Sequence, residues 1–308
     1  MRRVRWDILA PCLVVAAASC WGMIGFFSAG LSDAGLAPLQ IAEVRCVIAA
    51  AALLLVCLAL GREHLRIRLR DIWLFLGTGV CSIAFFNICY FACIELSTLS
   101  VACTLLYTSP CFIVLMSCLL FREEFTPRKA ASILFAFTGC TFITGIISEA
   151  PGLSISAQAL AFGLCSGFCY ALYSIIGRYI LRRYDWLTTI TYTFLFAALA
   201  LLPFCAPVEL AHKLINGRAA LLNALLLGLL STMLPFILYT NGLKHMDTGK
   251  AALLTFVEPM VATFISAAIL KEDFSANNAI GAALIVLSIV VLNSPVPHFG
   301  KNRGGKGA

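Results

Sequence analysis

Three ionisable side chains, Glu43, Arg45 and Glu258, fall inside long apolar stretches. Each costs roughly 2.5–3.5 kcal/mol at the centre of a membrane-spanning helix, so a charge at that depth marks a functional site or a specific pair. A carboxylate there can exchange a proton or hold a substrate amine, and an arginine can hold a carboxylate or balance Glu258. At about 1.5 Å per residue, Glu258 lies ~13 Å and Arg45 ~20 Å from the same face of a core ~30 Å thick. Two long side chains can bridge a difference of ~7 Å in depth. Glu43 is shallower and can snorkel outward. Two residues from Arg45, it does not face it on one helix, which disfavours a local pair.

Pro259 follows Glu258 in the stretch TFVEPMV, and Pro110 occupies LYTSPCF. A proline inside a helix removes a backbone donor, which would free the carbonyls of Thr255 and Leu106. Freed backbone at mid-membrane is tolerated where it is buried or lines a water-filled cavity, so both prolines are hinge candidates. Polar residues recur at helical spacing beside them: Thr255, Glu258 and Ser266 in one span, Ser100, Thr104, Tyr107 and Thr108 in the other. Gln40, Trp21, Asn87, Tyr90, Tyr107, Tyr170, Tyr173, Tyr239 and Asn241 complete the candidate lining. Aromatic walls with a few hydrogen-bonding groups suit a small-molecule site. The competing reading for the tyrosines and Trp21 is an interfacial aromatic belt.

The elements that must position these residues are membrane helices. The chain has 308 residues, 61% hydrophobic and 12% charged, where soluble domains carry about 25% charge. Mean hydropathy is +0.96. Apolar runs predict ten spans, at 8–28, 38–60, 72–94, 98–120, 127–147, 157–179, 187–207, 219–242, 249–270 and 277–293. The start, MRRVRWDILAPCLVVAAASC, is built like a signal peptide, but the apolar run continues through WGMIGFFSAG and reads as a retained first helix.

Basic residues order the spans. With the N-terminus inside, only Lys213, Arg218 and Lys271 lie outside and only Arg45 lies within a span; the rest of the 22 Lys and Arg are inside. The positive-inside rule then places both termini in the cytoplasm. A basic tail at 294–308 joins that side. The net charge of +7 faces anionic lipid, and no nucleic-acid partner is needed to explain it.

The two halves repeat. Pro110 matches Pro259, Ser117 matches Ser266, Glu123 matches Glu272, Glu124 matches Asp273 and Phe125 matches Phe274, in one constant register that also aligns Tyr90 with Tyr239 and Gly79 with Gly228. Two units, 8–147 and 157–293, hold five spans each. An odd number inverts the second copy, giving antiparallel halves around a pseudo-two-fold axis in the membrane plane. The expected fold is an all-α integral membrane protein with ten transmembrane helices in two inverted five-helix repeats. Gly22, Gly25, Gly163 and Gly167 read as close-packing positions.

Other chemistries lack their residues. Most of the fourteen cysteines lie in apolar runs without a CxxC pair, and the four histidines have no second ligand nearby, so no metal is expected. There is no phosphate-binding loop, HExxH or GxSxG motif, so neither ATP-driven transport nor an enzyme is supported, and no cofactor is implied.

The stretches SPCFIVLMSCLLFREEFTPRKAASILFAFTGC and EPMVATFISAAILKEDFSANNAIGAALIVLSIVVL resemble the two EamA-type repeats of the drug/metabolite transporter superfamily. EVRCVIAAAALLL resembles that family's second span. The likeness runs over about residues 8–293. Arg122 and Lys271 stand where the family usually has glycine, and Ser288 stands where Gly139 keeps one in the other half. The resemblance implies a ten-helix secondary carrier of the bacterial inner membrane, often exporting amino acids or related metabolites, with a central cavity between the halves. The expected function is efflux of a small polar or amphipathic metabolite by alternating access, with protons as the candidate coupling ion. A passive facilitator or channel and a lipid-intermediate translocase stay open as alternatives, as does the choice between monomer and homodimer.

Overall fold

The computed structural model describes residues 5–149, 155–269, 271 and 274–294. Glu272 and Asp273 of the repeat, Arg2, Arg3 and the tail from residue 295 onward lie outside the described residues. Among those described, nine helices are long and apolar enough to cross a membrane. They are α1 (Trp6–Asp33), α2 (Pro38–Leu60), α3 (Leu69–Leu96), α4 (Leu99–Phe121), α6 (Ala157–Ile180), α7 (Trp186–Phe204), α8 (Arg218–His245), α9 (Thr248–Ile269) and α10 (Ala276–Asn293). Between α4 and α6 lies α5, Pro127–Ile143, with 17 residues. The span expected at 127–147 is cut short because Gly145 turns the backbone left-handed at φ 76°. At 1.5 Å per residue α5 is about 25 Å long, at the low end of the spanning range.

The helices pair in a restricted pattern. α5 lies along α10, α1 along α8, α6 along α3, α7 along α2 and α9 along α4. Exchanging the first five helices with the last five leaves those pairings unchanged. The two departures from glycine also match one another. α5 and α10 cross with Gly139 against Gly281: a Cβ on either would lie 2.6–2.7 Å from the other's carbonyl oxygen. Ser288 is fully buried and accepts a long, 3.5 Å hydrogen bond from Ser132. Arg122 and Lys271, in place of glycine, both adopt φ 57°, the left-handed conformation that glycine takes most easily.

Several spans are interrupted where the sequence forces it. α4 is helical over Leu99–Leu106 and resumes at Ser109, with Pro110 in its new first turn. α9 is helical over Thr248–Leu254 and resumes at Val257, again with proline in the first turn. A missing N–H is harmless there, since first-turn donors have no intrahelical acceptor. The freed carbonyl expected at Thr255 is therefore not free; it accepts the Glu258 N–H at 2.9 Å. Beside the α4 break, Gly167 lies against the carbonyls of Leu105 and Leu106, and a Cβ there would come within 3.0 Å of the first. α3 and α8 each contain a π-helical stretch, Gly77–Ala84 and Leu229–Met233, at matching places in the two halves. Each holds a fully buried serine, Ser82 and Ser231.

Candidate functional site

A cavity of about 380 Å³ opens between α1, α2, α3, α4 and α9. Arg45 and Glu258 both face it, with Trp21, Asn87, Tyr90 and Tyr107. Their positions follow from the helix breaks. Glu258 sits in the first turn after the α9 interruption, and Tyr107 is in the α4 interruption itself. Trp21 ends the first segment of α1, where Gly22 packs so tightly on α9 that a Cβ would meet Val261 at 2.9 Å. Gly25 has nothing within 4 Å of a Cβ and lines the cavity, so it is not a packing contact. Glu258 and Arg45 form no ion pair within 4.0 Å, and the buried Arg45 Nε has no hydrogen-bond partner. A carboxyl and a guanidinium thus face one space without pairing with each other.

The other candidates lie elsewhere. Gln40 is held by backbone groups away from the cavity: its carbonyl oxygen accepts the Ala37 N–H at 3.0 Å and its amide donates to the Cys205 carbonyl at 3.2 Å. Glu43 does not snorkel; it is 1% exposed, and neither carboxyl oxygen has a partner. Tyr173 bonds Thr240 at 2.6 Å and Tyr239 bonds Ser174 at 2.7 Å. The Tyr173 ring meets Phe236 edge-on at 4.9 Å, the Tyr239 ring lies 5.4 Å from Trp21, and Phe236 meets Trp21 edge-on at 5.3 Å. They form a plug rather than a wall. Tyr170 stands behind the wall against Phe86, with centroids 5.5 Å apart, and the Asn241 amide donates to the Ile237 carbonyl. Phe86, Phe91 and Cys103 line the cavity without having been expected there. Nothing in their types separates them from ordinary apolar packing residues.

A second space of about 270 Å³ adjoins the first through Leu99, Cys103, Tyr107 and Ala262. Ser100, Thr144, Thr263, Ser266 and Asn278 give it a lining of hydroxyls and an amide. It lies toward the end of the bundle away from the arginines. The repeat counterparts of Ser100 and Ser266 are Gly249 and Ser117, and these are in contact: a Cβ on Gly249 would be 3.2 Å from Ser117 Oγ. One end of the α4–α9 pair is open and the arginine-rich end is shut.

Glu123 holds the shut end. Its two oxygens accept the N–H groups of Thr248 at 2.6 Å and Gly249 at 3.0 Å, capping the start of α9. Lys129 stands 3.6 Å from Glu123 and 3.8 Å from Asp247. Burial works to raise the Glu123 carboxyl, but the two amides, the Thr248 side chain and Lys129 outweigh it and hold it below the usual glutamate range. A lowered value in the folded state adds stability above 4.5, the ordinary value, and that stability is lost as pH falls through the lowered one. Melting temperature is therefore expected to fall as pH drops below 4.5, and to fall less in E123Q, which has no charge to lose. Equal acid sensitivity in the two proteins would dismiss the cap as a contributor.

The matches to known proteins agree with this architecture. The model of the EamA-like transporter family matches the chain twice, over residues 8–145 and 157–294. The chain belongs to the EamA-like transporter family. It is 30% identical over 200 residues to the uncharacterized inner membrane transporter YicL of Salmonella typhimurium, covering 65% of this chain and 66% of that one. An uncharacterized transporter of Archaeoglobus fulgidus is 23% identical over 94% of this chain and 98% of its own. YyaM of Bacillus subtilis, also an uncharacterized transporter, is 23% identical over 89% of this chain and 87% of its own. A solved crystal structure superposes with a TM-score of 0.75 at 20% identity, covering 92% of this chain and 96% of the other, and so shares the fold. This EamA-like transporter is a multi-pass membrane protein, and its family and relatives point to transport rather than enzyme chemistry.

Proposed function

We propose that the chain is a secondary active transporter of the bacterial inner membrane that exports a small zwitterionic or amphipathic metabolite, an amino acid or a relative, by alternating access. The observation that carries this is the placement of Glu258 and Arg45, unpaired with each other, on one aromatic-walled cavity inside the bundle. An opposed carboxylate and guanidinium suit a ligand bearing both an amine and a carboxylate. Two inverted repeats with ten spans and both termini in the cytoplasm account for the exchangeable helix pairings, the paired helix breaks and the arginine-rich end. Glu258 carries the coupling proton, Arg45 holds the substrate carboxylate, and Pro110 and Pro259 mark the hinges. A channel is disfavoured, because the cavity meets the plug of Tyr173, Tyr239 and Phe236 toward the arginine-rich end.

The test is a thermal-shift comparison in purified protein of amino acids with apolar side chains against their decarboxylated amines and their amides. The zwitterions are expected to stabilise by about 2.7 kcal/mol at a hundredfold excess over Kd, and the single-charge analogues by clearly less. Equal shifts from phenylalanine and phenethylamine would remove Arg45 as a carboxylate anchor. Stabilisation only by lipid headgroups would favour a lipid-intermediate translocase instead.

A further inference from the structure

We propose that the second, hydroxyl-lined space is a subsite for an uncharged hydrogen-bonding group at the far end of the substrate. The substrate class that follows is an elongated amino acid whose side chain ends in a hydroxyl or an amide. The inference rests on the proposed function, which puts the charged head of the substrate at Glu258 and Arg45. The two spaces form one path, since Leu99, Cys103, Tyr107 and Ala262 line both. Glu258, Ala262 and Ser266 follow at four-residue intervals in the unbroken helix Val257–Ile269, and so lie along one face of α9. Ala262, a small residue, stands at the step between the carboxyl on one side and the hydroxyl on the other. Small-molecule sites run from about 300 to 1,000 Å³. The first cavity, at about 380 Å³, is near the lower limit, and the adjoining 270 Å³ gives room for a longer molecule.

The lining sets the chemistry. Among the described residues, no charged side chain lines the second space. Thr263 donates its hydroxyl to the Pro259 carbonyl at 2.9 Å, and Thr144 bonds Thr104 at 2.8 Å. Ser266 and the side-chain amide of Asn278 are half-buried and have no hydrogen-bond partner among the described residues. A hydroxyl and an amide each donate and accept, so a neutral group that does both matches them. A charged group there would lose hydration without meeting a counter-charge. Eight residues separate Glu258 from Ser266, about 12 Å along the helix axis. A hydrogen bond of ~3 Å at each end leaves about 6 Å between the polar atoms of the ligand. A serine side chain is too short for that span. Tyrosine covers it, through a ring that suits the aromatic walls of the first cavity.

Dissociation constants of four ligands, read by thermal shift on the purified full chain, test the subsite: phenylalanine, tyrosine, O-methyltyrosine and 4-carboxyphenylalanine. Tyrosine is expected to bind about fivefold tighter than phenylalanine, the worth of one hydrogen bond. O-methyltyrosine has no donor to offer and is expected to lose most of that advantage. The charged 4-carboxyphenylalanine is expected to bind more weakly than phenylalanine. In S266A and in N278A the preference for tyrosine over phenylalanine is expected to fall toward one. Equal affinity of the wild type for the two would overturn the subsite and leave the proposed function standing. A preference that survives in whichever of the two variants folds, or tighter binding of 4-carboxyphenylalanine, would overturn it as well. No binding of any of the four would overturn the proposed function and this inference with it.

Discussion

In proteoliposomes, E258Q is expected to lose proton-driven accumulation of substrate while keeping exchange of labelled for unlabelled substrate. One pH unit is worth about 1.4 kcal/mol per proton, so a one-to-one antiporter accumulates substrate on the acidic side up to about tenfold per unit. Glutamine keeps the shape and hydrogen-bonding reach of Glu258 but exchanges no proton, so the expected accumulation ratio falls to about one. Counterflow needs only a cavity that opens to alternate sides, and E258Q leaves Arg45 and the rest of the cavity lining in place. Wild-type accumulation ratios in E258Q would place coupling elsewhere, with the fully buried and unpartnered Glu43 the next residue to test. Flux that neither saturates nor responds to a pH gradient in the wild type would mean a passive facilitator.

The second large effect concerns stability. G281V places its Cβ 2.6 Å from the Gly139 carbonyl oxygen and 2.7 Å from Ile143 Cγ1. The first is a backbone atom that cannot rotate away, so α5 and α10 must separate along their shared face. Overpacking costs about 1–3 kcal/mol, and a rigid neighbour puts this case at the top of that range. G25A is the control: nothing lies within 4 Å of its Cβ, so stability is expected to stay within about 0.5 kcal/mol. Matching unfolding midpoints for G281V and G25A would show that α5 and α10 do not depend on this crossing.

The spans were legible because apolar length is the strongest signal a membrane chain carries. Their interruptions were only half legible. Pro110 and Pro259 revealed where α4 and α9 change course, but a proline does not say whether a helix bends or stops and restarts. The restart changed the chemistry, giving the Thr255 carbonyl to the Glu258 amide. Glu258, Arg45 and Trp21, which face the cavity, stood out because a polar or bulky residue in an apolar run is conspicuous. Tyr173 and Tyr239 were conspicuous for the same reason and belong to the plug, because side-chain type does not reveal which helix face meets which neighbour. Glu123 was visible as a repeated acidic corner. Its partners, the amides of Thr248 and Gly249, belong to another helix and left no mark in the local sequence.

The π-helical stretches of α3 and α8 have a consequence for how the cavity can change over evolutionary time. Each precedes residues at the cavity or packed behind it: Phe86, Asn87 and Tyr90 line it from α3, and Phe236 and Tyr239 on α8 pack on Trp21. A wide turn of this kind accommodates an extra residue in a helix, and one residue amounts to about 100° of rotation. Removing a single residue at 77–84 would therefore turn Asn87 and Tyr90 off the cavity without altering either side chain. The aim of those walls is set by a residue count, and length variants there could change what the cavity accepts in one step.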